Sequence, residues 1–565
     1  MTESDSVPRG VARAIVKCLQ QNGVEHVFFM TGGDQEFWIE SKAAGLSLVL
    51  ARSENSAAYM ADGYARASGG PGVVYAQWGP GAGNVAGALA DAWWGRSPVV
   101  AITSSMATDT AYLNEYQELD QLPLFEPVTK WNRVVTRADR AAEMVQTALR
   151  VATSGCPRPV HLDIPRDFFA ARGSVASDYA LAAPGPAPAP TATALEDAVA
   201  LLYEATRPLI LAGSGALIAH AEPELVAFAE ETGIPVATSA GGKGAFAETH
   251  PLAVGVAGRY SRKVANEALA EADVVLVVGS DLGALLTDGY RMPSPDAAIV
   301  QIDIEVEQLG MVRPATVAIH ADARLALAGL LDEVRRSPLT GSHRPWVDDL
   351  ERRVARWKRT LASESRKPDE GGFVRGEAIV QALRDTAGDD DLIVADTAYM
   401  AAWTAALYEI RSAGRTYLRC SGSLGWAFPA ALGAQLACPD VRVFCVVGDG
   451  GIGYHIGDIE TAVRLGIPAI TLVFNNSSLA YEYQFQKHVL GGPTIDEVND
   501  FAEVDHAAVA RAFGANGARV TTANELRAAL AEAVEASGPT LIDVVVSKEQ
   551  PAPVTTYEGV FERAL

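Results

Sequence analysis

Cysteine is scarce in this chain. Its 565 residues include five, Cys18, Cys156, Cys420, Cys438 and Cys445, and no two stand in a C-x-x-C pair. An odd number without such pairs argues against a disulfide framework and predicts a reducing, cytoplasmic setting. No run of about 18 residues is both apolar and uncharged, and Met1-Thr2-Glu3-Ser4-Asp5 has neither the basic flank nor the apolar core of an export signal, so no membrane partner is expected. Positive charge is also short. With 46 Lys and Arg against 69 Asp and Glu, the net charge is −23, which argues against nucleic acid or anionic membrane as a standing partner. The nine histidines show no metal-ligand spacing, and none lies between Thr108 and Gln121.

Hydrophobic residues make up 49% of the chain, ample for the cores of three or four domains. Two composition breaks divide it. Ala182 to Ala192 reads AAPGPAPAPTA, which holds neither a helix nor a central strand, and the polar, proline-containing stretch Arg336 to Pro345 precedes a charged, helix-like run to about Lys367. The expected domains are therefore 1–181, 193–335 and 368–549, with 550–565 as a tail or lid. Short apolar, strand-like runs such as Pro208 to Gly213, Val274 to Gly279 and Val443 to Val447 alternate with helix-like stretches. This predicts an α/β chain of three doubly wound parallel-sheet domains.

The chemistry concentrates at two places. After the run Val443 to Val447 comes Gly448-Asp449-Gly450-Gly451, read as a glycine-rich turn to Gly453 leading into a helix over Ile456 to Leu465. A second apolar run, Ile470 to Phe474, delivers Asn475 and Asn476. Asp449 and Asn476 are 27 positions apart, room for one loop, one helix and a return strand, so both reach the carboxyl ends of strands. Their oxygens are hard donors suited to a Mg²⁺ ion that also holds phosphate. Near the other end, Arg52-Ser53-Glu54-Asn55-Ser56-Ala57-Ala58 runs into Ala61-Asp62-Gly63-Tyr64-Ala65-Arg66, with Glu54 opening a helix.

These segments resemble the signatures of thiamine-diphosphate (ThDP) enzymes. The resemblance to the acetolactate synthase-like group extends through Gly79-Pro80-Gly81-Ala82-Gly83-Asn84, Tyr116-Gln117-Glu118, Pro157-Arg158-Pro159-Val160, Asp163-Ile164-Pro165 and Leu424-Gly425-Trp426-Ala427-Phe428-Pro429. It implies that Asp449, Asn476 and the Ser478 carbonyl hold Mg²⁺. It further implies that Gly79, Asn84, Ala398, Tyr399, Leu424, Gly448, Gly450 and Gly451 line the cofactor. The glutamate of this pattern, Glu54, bonds the aminopyrimidine ring and favours an imino form whose nitrogen removes the thiazolium C2 proton, while Leu424 supports the bent cofactor. Active sites between protomers of a homodimer or homotetramer are also implied, with Trp93, Trp94 and Tyr59 as candidate interface anchors.

The reaction is read from departures. Pyruvate-type decarboxylases carry paired histidines that Thr108 to Gln121 lacks, and Gln77 stands where benzoylformate-type enzymes place a histidine; an amide orients a carbonyl but moves no proton. Two classes need little help from imidazole: an acetolactate synthase-type carboligase and a 2-hydroxyacyl-CoA lyase releasing formyl-CoA. The lyase is the first reading, with Glu497 as base, Glu118 and Glu482 as the other candidates for it, and Gln117 beside Glu118 as a further catalytic residue. The turn Phe29-Met30-Thr31-Gly32-Gly33 departs from the family's G-x-P-G, which places Thr31 and Gly32 at the substrate. The basic group Lys243, Arg259, Arg262 and Lys263 is a candidate for the CoA phosphates. The segment around it keeps only part of the pattern with which acetolactate synthases bind FAD.

Overall fold

A computed structural model describes residues 10–172, 185–337, 343–369 and 371–555. Three parallel sheets of six strands each carry the chain. The first comprises β1 (His26–Phe29), β2 (Ser47–Leu50), β3 (Gly72–Ala76), β4 (Val99–Ser105), β5 (Trp131–Val134) and β6 (Val160–Pro165), in the order β2-β1-β3-β4-β6-β5. The second comprises β7 (Pro208–Ala212), β8 (Val236–Ser239), β9 (Ala253–Ala257), β10 (Val274–Val278), β11 (Ala298–Asp303) and β12 (Val317–His320), in the order β12-β11-β10-β7-β8-β9. The third comprises β13 (Leu392–Ala395), β14 (Tyr417–Arg419), β15 (Val443–Gly448), β16 (Ile470–Asn475), β17 (Asn516–Val520) and β18 (Thr540–Val545), in the order β14-β13-β15-β16-β18-β17. The central strands β3, β7 and β10 are buried at every residue, which is why their sequences are unbroken apolar runs and not alternating ones.

The chain forms two compact units. One gathers Met1–Gly185 with Cys420–Asp440 and Tyr454–Ala469; the other gathers Pro186–Arg419, Val441–Gly453 and Ile470–Leu565. In the first unit the helix Glu54–Ser68 packs along the helix Ala427–Ala437. Their backbones touch because both positions at the crossing are glycine. A Cβ on Gly63 would lie 2.0 Å from the Ala430 carbonyl oxygen, and one on Gly433 would lie 1.9 Å from that of Met60. A buried ionic network stiffens the same crossing. Arg66 Nε and Nη2 bond both oxygens of Asp62 at 2.8 and 2.7 Å, Nη2 reaches Asp91 at 3.0 Å, and Trp426 Nε1 donates to Asp62 at 2.7 Å. The A-D-G-Y-A-R motif thus serves packing: its acid and arginine pair with each other, and its glycine admits the neighbouring helix.

Two local expectations change. The residues after Gly448 form no turn: helix begins at Asp449 and runs to His455, followed by a 3-10 turn over Ile456–Asp458 and a helix over Ile459–Leu465. None of Gly448, Gly450, Gly451 and Gly453 has positive φ, so nothing diverts the strand from entering a helix directly. The C-terminal segment is docked as far as it is described. Gln550 bonds Glu377 and the Gly376 N–H, and Thr555 bonds the Arg259 carbonyl and Asp288. Tyr557 and Phe561, read with that tail, lie outside the described residues, as do Ala182, Ala183 and Pro184 of the expected linker.

Candidate functional site

In the first unit the candidate residues collect at the carboxyl ends of β1 to β4. Ser53 caps the helix that begins at Glu54, its side chain accepting the Ser56 N–H, so the Glu54 carboxylate is presented from a first turn whose free N–H groups favour negative charge. Asn84 Nδ2 donates to Glu54 Oε2 at 2.9 Å, and Gly81 faces the same carboxylate. After β3 the chain turns at Gly79, whose φ of +68° and whose approach to the Gln117 carbonyl oxygen, 2.3 Å from a hypothetical Cβ, require glycine. The segment Tyr116–Glu118 is tied to this turn. Trp78 Nε1 donates to the Tyr116 carbonyl at 3.0 Å, and Gln77 Nε2 donates to Gln117 Oε1 at 3.2 Å. Gly32 lies directly against the Gln77 side chain, bringing the Thr31-Gly32 turn to the same place. Glu118 is otherwise engaged: its carboxylate accepts the N–H groups of Tyr112 and Glu115 and closes the loop that carries Gln117.

Leu424 is delivered by a loop folded around one buried carboxylate. Asp91 accepts from the N–H groups of Ser421, Gly422 and Ser423 at 2.9 to 3.1 Å and from Cys420 Sγ at 3.1 Å, besides Arg66. Burial alone would raise its pKa; Arg66 and these donors hold it below the ordinary value. Asp34, which follows the Thr31-Gly32 turn, is a second buried acid. It takes the Tyr75 hydroxyl, and burial raises its pKa to about 7. Neither was singled out from sequence, because an isolated Asp reads as a surface carboxylate until its partners are seen.

In the second unit the candidate metal ligands come together at the ends of β15 and β16. Asp449 Oδ2 accepts the Asn476 N–H at 3.1 Å, Oδ1 accepts the Gly450 N–H at 2.8 Å, and Asn476 Oδ1 accepts the Ser478 N–H at 2.9 Å. Burial raises the Asp449 pKa to about 6, against the opposing effect of the Gly450 and Asn476 N–H groups. A carboxylate, an amide oxygen and a main-chain carbonyl form an all-oxygen donor set that fits Mg²⁺ and not zinc. Asp396, buried after β13, lies against Gly451 and was missed for the same reason as Asp91. Ala398 has φ 55° and ψ −120° at the start of the helix Tyr399–Leu407, a strained conformation of the kind stored at ligand sites. Glu482 and Glu497 are exposed on the helices Ala480–His488 and Asp496–Asn499.

The basic group is a correction. Lys243 and Arg262 are 0% and 1% exposed, so neither reaches a phosphate in solvent. Lys243 Nζ bonds Glu248 at 2.6 Å and the Tyr408 carbonyl at 2.6 Å, while Arg262 sits 3.4 Å from Glu248 and 4.0 Å over the Trp357 ring. Both charges are consumed in an internal ionic cluster, leaving Arg259, partly exposed, and Lys263 at the surface. Of the interface anchors, Tyr59 is buried edge-on against His455 and Trp93 lies under Arg158, whereas Trp94 is exposed.

Strands that end in a carboxylate and amide-oxygen set on one sheet and in a helix-opening glutamate on another define a thiamine pyrophosphate enzyme. The chain matches the N-terminal TPP binding domain of these enzymes over residues 9–124, the central domain over 195–330 and the C-terminal TPP binding domain over 396–544. It is 32% identical to a probable acetolactate synthase large subunit of Methanocaldococcus jannaschii, covering 97% of this chain and 94% of that protein. It is also 32% identical to the acetolactate synthase large subunit of Corynebacterium glutamicum, over 95% and 87% of the two chains. Against the sulfoacetaldehyde acetyltransferase of Rhodobacter capsulatus the identity is again 32%, over 96% and 95%. The chain belongs to the ThDP-dependent enzymes of the acetolactate synthase-like group.

Proposed function

We propose that the protein is a carboligase or acyl transferase: it joins the two-carbon unit left when a 2-oxo acid loses CO2 to the carbonyl of a second small molecule, or passes an acetyl unit from an aldehyde that expels its own leaving group, such as sulfite, to an acceptor. The observation that carries this reading is full-length similarity to acetolactate synthases and to sulfoacetaldehyde acetyltransferases alike. The Gln77–Gln117 amide pair beside the Thr31-Gly32 turn favours the same class. An amide pair orients carbonyl oxygens by hydrogen bonds but supplies no proton, which suits interception of the acyl donor by a second substrate better than protonation to an aldehyde. The 2-hydroxyacyl-CoA lyase reading loses its support, since Lys243 and Arg262 are internal.

In the proposed mechanism, ThDP supplies a carbon nucleophile for the substrate carbonyl when it is bound. Asp449, Asn476 and the Ser478 carbonyl hold the Mg²⁺ ion, and Glu54 holds a proton shared with the aminopyrimidine, its carboxylate oriented by Asn84. Leu424 supplies apolar support, while Gln77 and Gln117 orient the substrate carbonyl. Thr31 and Gly32 border the acceptor. We read the assembly as a homodimer or homotetramer. The test is product analysis by mass spectrometry with ThDP and Mg²⁺: pyruvate alone, sulfoacetaldehyde with phosphate, and a short 2-hydroxyacyl-CoA. Acetolactate or an acetyl product from the first two is expected; formyl-CoA from the third, with nothing from pyruvate, would overturn the proposal.

A further inference from the structure

Ser56, His455 and Asp458 meet in the first unit, all buried. The trio has the composition of a hydrolytic triad but not its connectivity. The Asp458 carboxylate takes the serine hydroxyl at 2.5 Å, and His455 Nδ1 meets the same hydroxyl at 2.8 Å, so the acid of this trio bonds the serine and not the imidazole. With its hydroxyl hydrogen given to Asp458, Ser56 accepts from His455, which burial keeps neutral with a pKa lowered to about 4. No nucleophile is activated here. What the trio does is hold a helix end.

The rest of the Asp458 environment shows which end. Asp458 Oδ1 accepts the Arg52 N–H at 2.9 Å and the Thr461 hydroxyl at 3.0 Å. Thr461 and Arg464 also reach the Leu50 carbonyl, at 3.4 and 2.6 Å. The carboxylate therefore fastens the backbone two residues before Glu54 and the side chain two residues after it. Burial pushes the Asp458 pKa up, and the three donors oppose that push. Such a group is costly to bury and is retained where its bonds fix a geometry.

We infer that Asp458 is the positioning residue for Glu54: it sets the first turn of the helix Glu54–Ser68 so that the glutamate meets Asn84 and the space beyond it at one fixed angle. The inference rests on the reading of Glu54 as the aminopyrimidine partner. A carboxylate misplaced by about 1 Å is enough to lose about a hundredfold in a proton transfer.

The experiment compares wild type, Asp458→Ala, Asp458→Asn and Glu54→Gln as full chains. Three quantities are read: ThDP affinity with Mg²⁺, the exchange rate of the C2 proton of bound ThDP by quenched NMR, and amide hydrogen exchange at residues 52–57 without cofactor. Asp458→Ala should slow C2 exchange by at least about tenfold, leave ThDP affinity within about threefold because the Asp449 site is untouched, and expose the amides of 52–57. Asp458→Asn keeps an acceptor for Arg52 and Thr461, and Ser56 can turn its hydroxyl to His455, so this variant should restore both. A lower melting temperature in Asp458→Ala with unchanged C2 exchange would mean that Asp458 is merely structural and would overturn the inference. Should Asp458→Ala fail to fold, Ser56→Ala removes one of the three donors and should slow C2 exchange by about threefold; no change there also overturns it. Unchanged C2 exchange in Glu54→Gln would instead sink the reading of Glu54 itself, and the two failures are told apart by that one variant.

Discussion

The first and third sheets have one topology and two chemistries. Read from their first strands, the orders β2-β1-β3-β4-β6-β5 and β14-β13-β15-β16-β18-β17 are the same. The strand-end positions therefore correspond: Gln77-Trp78-Gly79 follows β3 as Asp449-Gly450-Gly451 follows β15, and Glu54 follows β2 as Leu424 follows β14. In one sheet the shared positions carry an amide-lined turn and a glutamate; in the other they carry a carboxylate and amide-oxygen set and a leucine. The difference begins in the backbone. Gly79 is left-handed and turns the chain away before the helix Pro80–Trp94, whereas no glycine from Gly448 to Gly453 is left-handed and the chain enters helix at Asp449 itself. One scaffold offers the positions, and the conformation of a single glycine decides whether a side chain or a turn occupies them.

The sharpest way to separate the two chemistries is to remove one and keep the other. Glu54→Gln preserves shape and the bond from Asn84 but removes the ionisable oxygen, so kcat should fall by about 10²–10⁴ with ThDP affinity almost unchanged. Asp449→Ala should do the reverse, weakening Mg²⁺-dependent ThDP binding by about a hundredfold or more, as expected when one member of a buried charge pair is lost. Calorimetric titration with and without Mg²⁺ distinguishes them; if both variants lose affinity equally, the division of labour between the two sheets is wrong. Leu424→Ala stands between, because it removes apolar contact and no charge. Its expected cost of about 2 kcal/mol, roughly thirtyfold, should fall on turnover more than on Mg²⁺ dependence.

Legibility followed burial of two kinds. Strands such as β10 and β15 are read from sequence because every residue of VVLVV and nearly every one of VFCVVG is buried, leaving a continuous apolar run. The motifs around Glu54 and Asp449 are read because their chemistry is local to a few residues. What escapes is long-range. Nothing near Cys420–Asp440 or Tyr454–Ala469 announces that these segments join the first unit; the signal is one glycine on each of two helices, Gly63 and Gly433, and it has meaning only at the crossing. The acids Asp34, Asp91, Asp396 and Asp458 escape for the same reason, and Lys243 with Arg262 were misread because Glu248, which neutralises both, has no spacing that marks it as a partner.

Asp34 gives the smallest effect and a further contrast between the sheets. It follows β1 as Asp396 follows β13, but where Asp396 lies against Gly451, Asp34 meets neutral hydroxyls, those of Tyr75 and Ser104, with Glu36 and Arg166 acting from a distance. Its folded-state pKa, about 7, lies above the ordinary 3.8 because burial disfavours the anion. The sign follows. Between about pH 4 and 7 the unfolded chain has lost this proton and the folded chain retains it, so folding takes up a proton and stability declines as pH rises through that window, levelling off above it. Asp34→Asn imitates the neutral acid, accepting from Tyr75 and donating onward, with nothing left to titrate. Wild type and variant should therefore melt together near pH 4 and separate by a few degrees, on the order of 2–4 °C per kcal/mol, by pH 8, with the variant the more stable. Parallel melting curves across that range would mean that Asp34 is ionised in the folded protein and that Tyr75 bonds an anion.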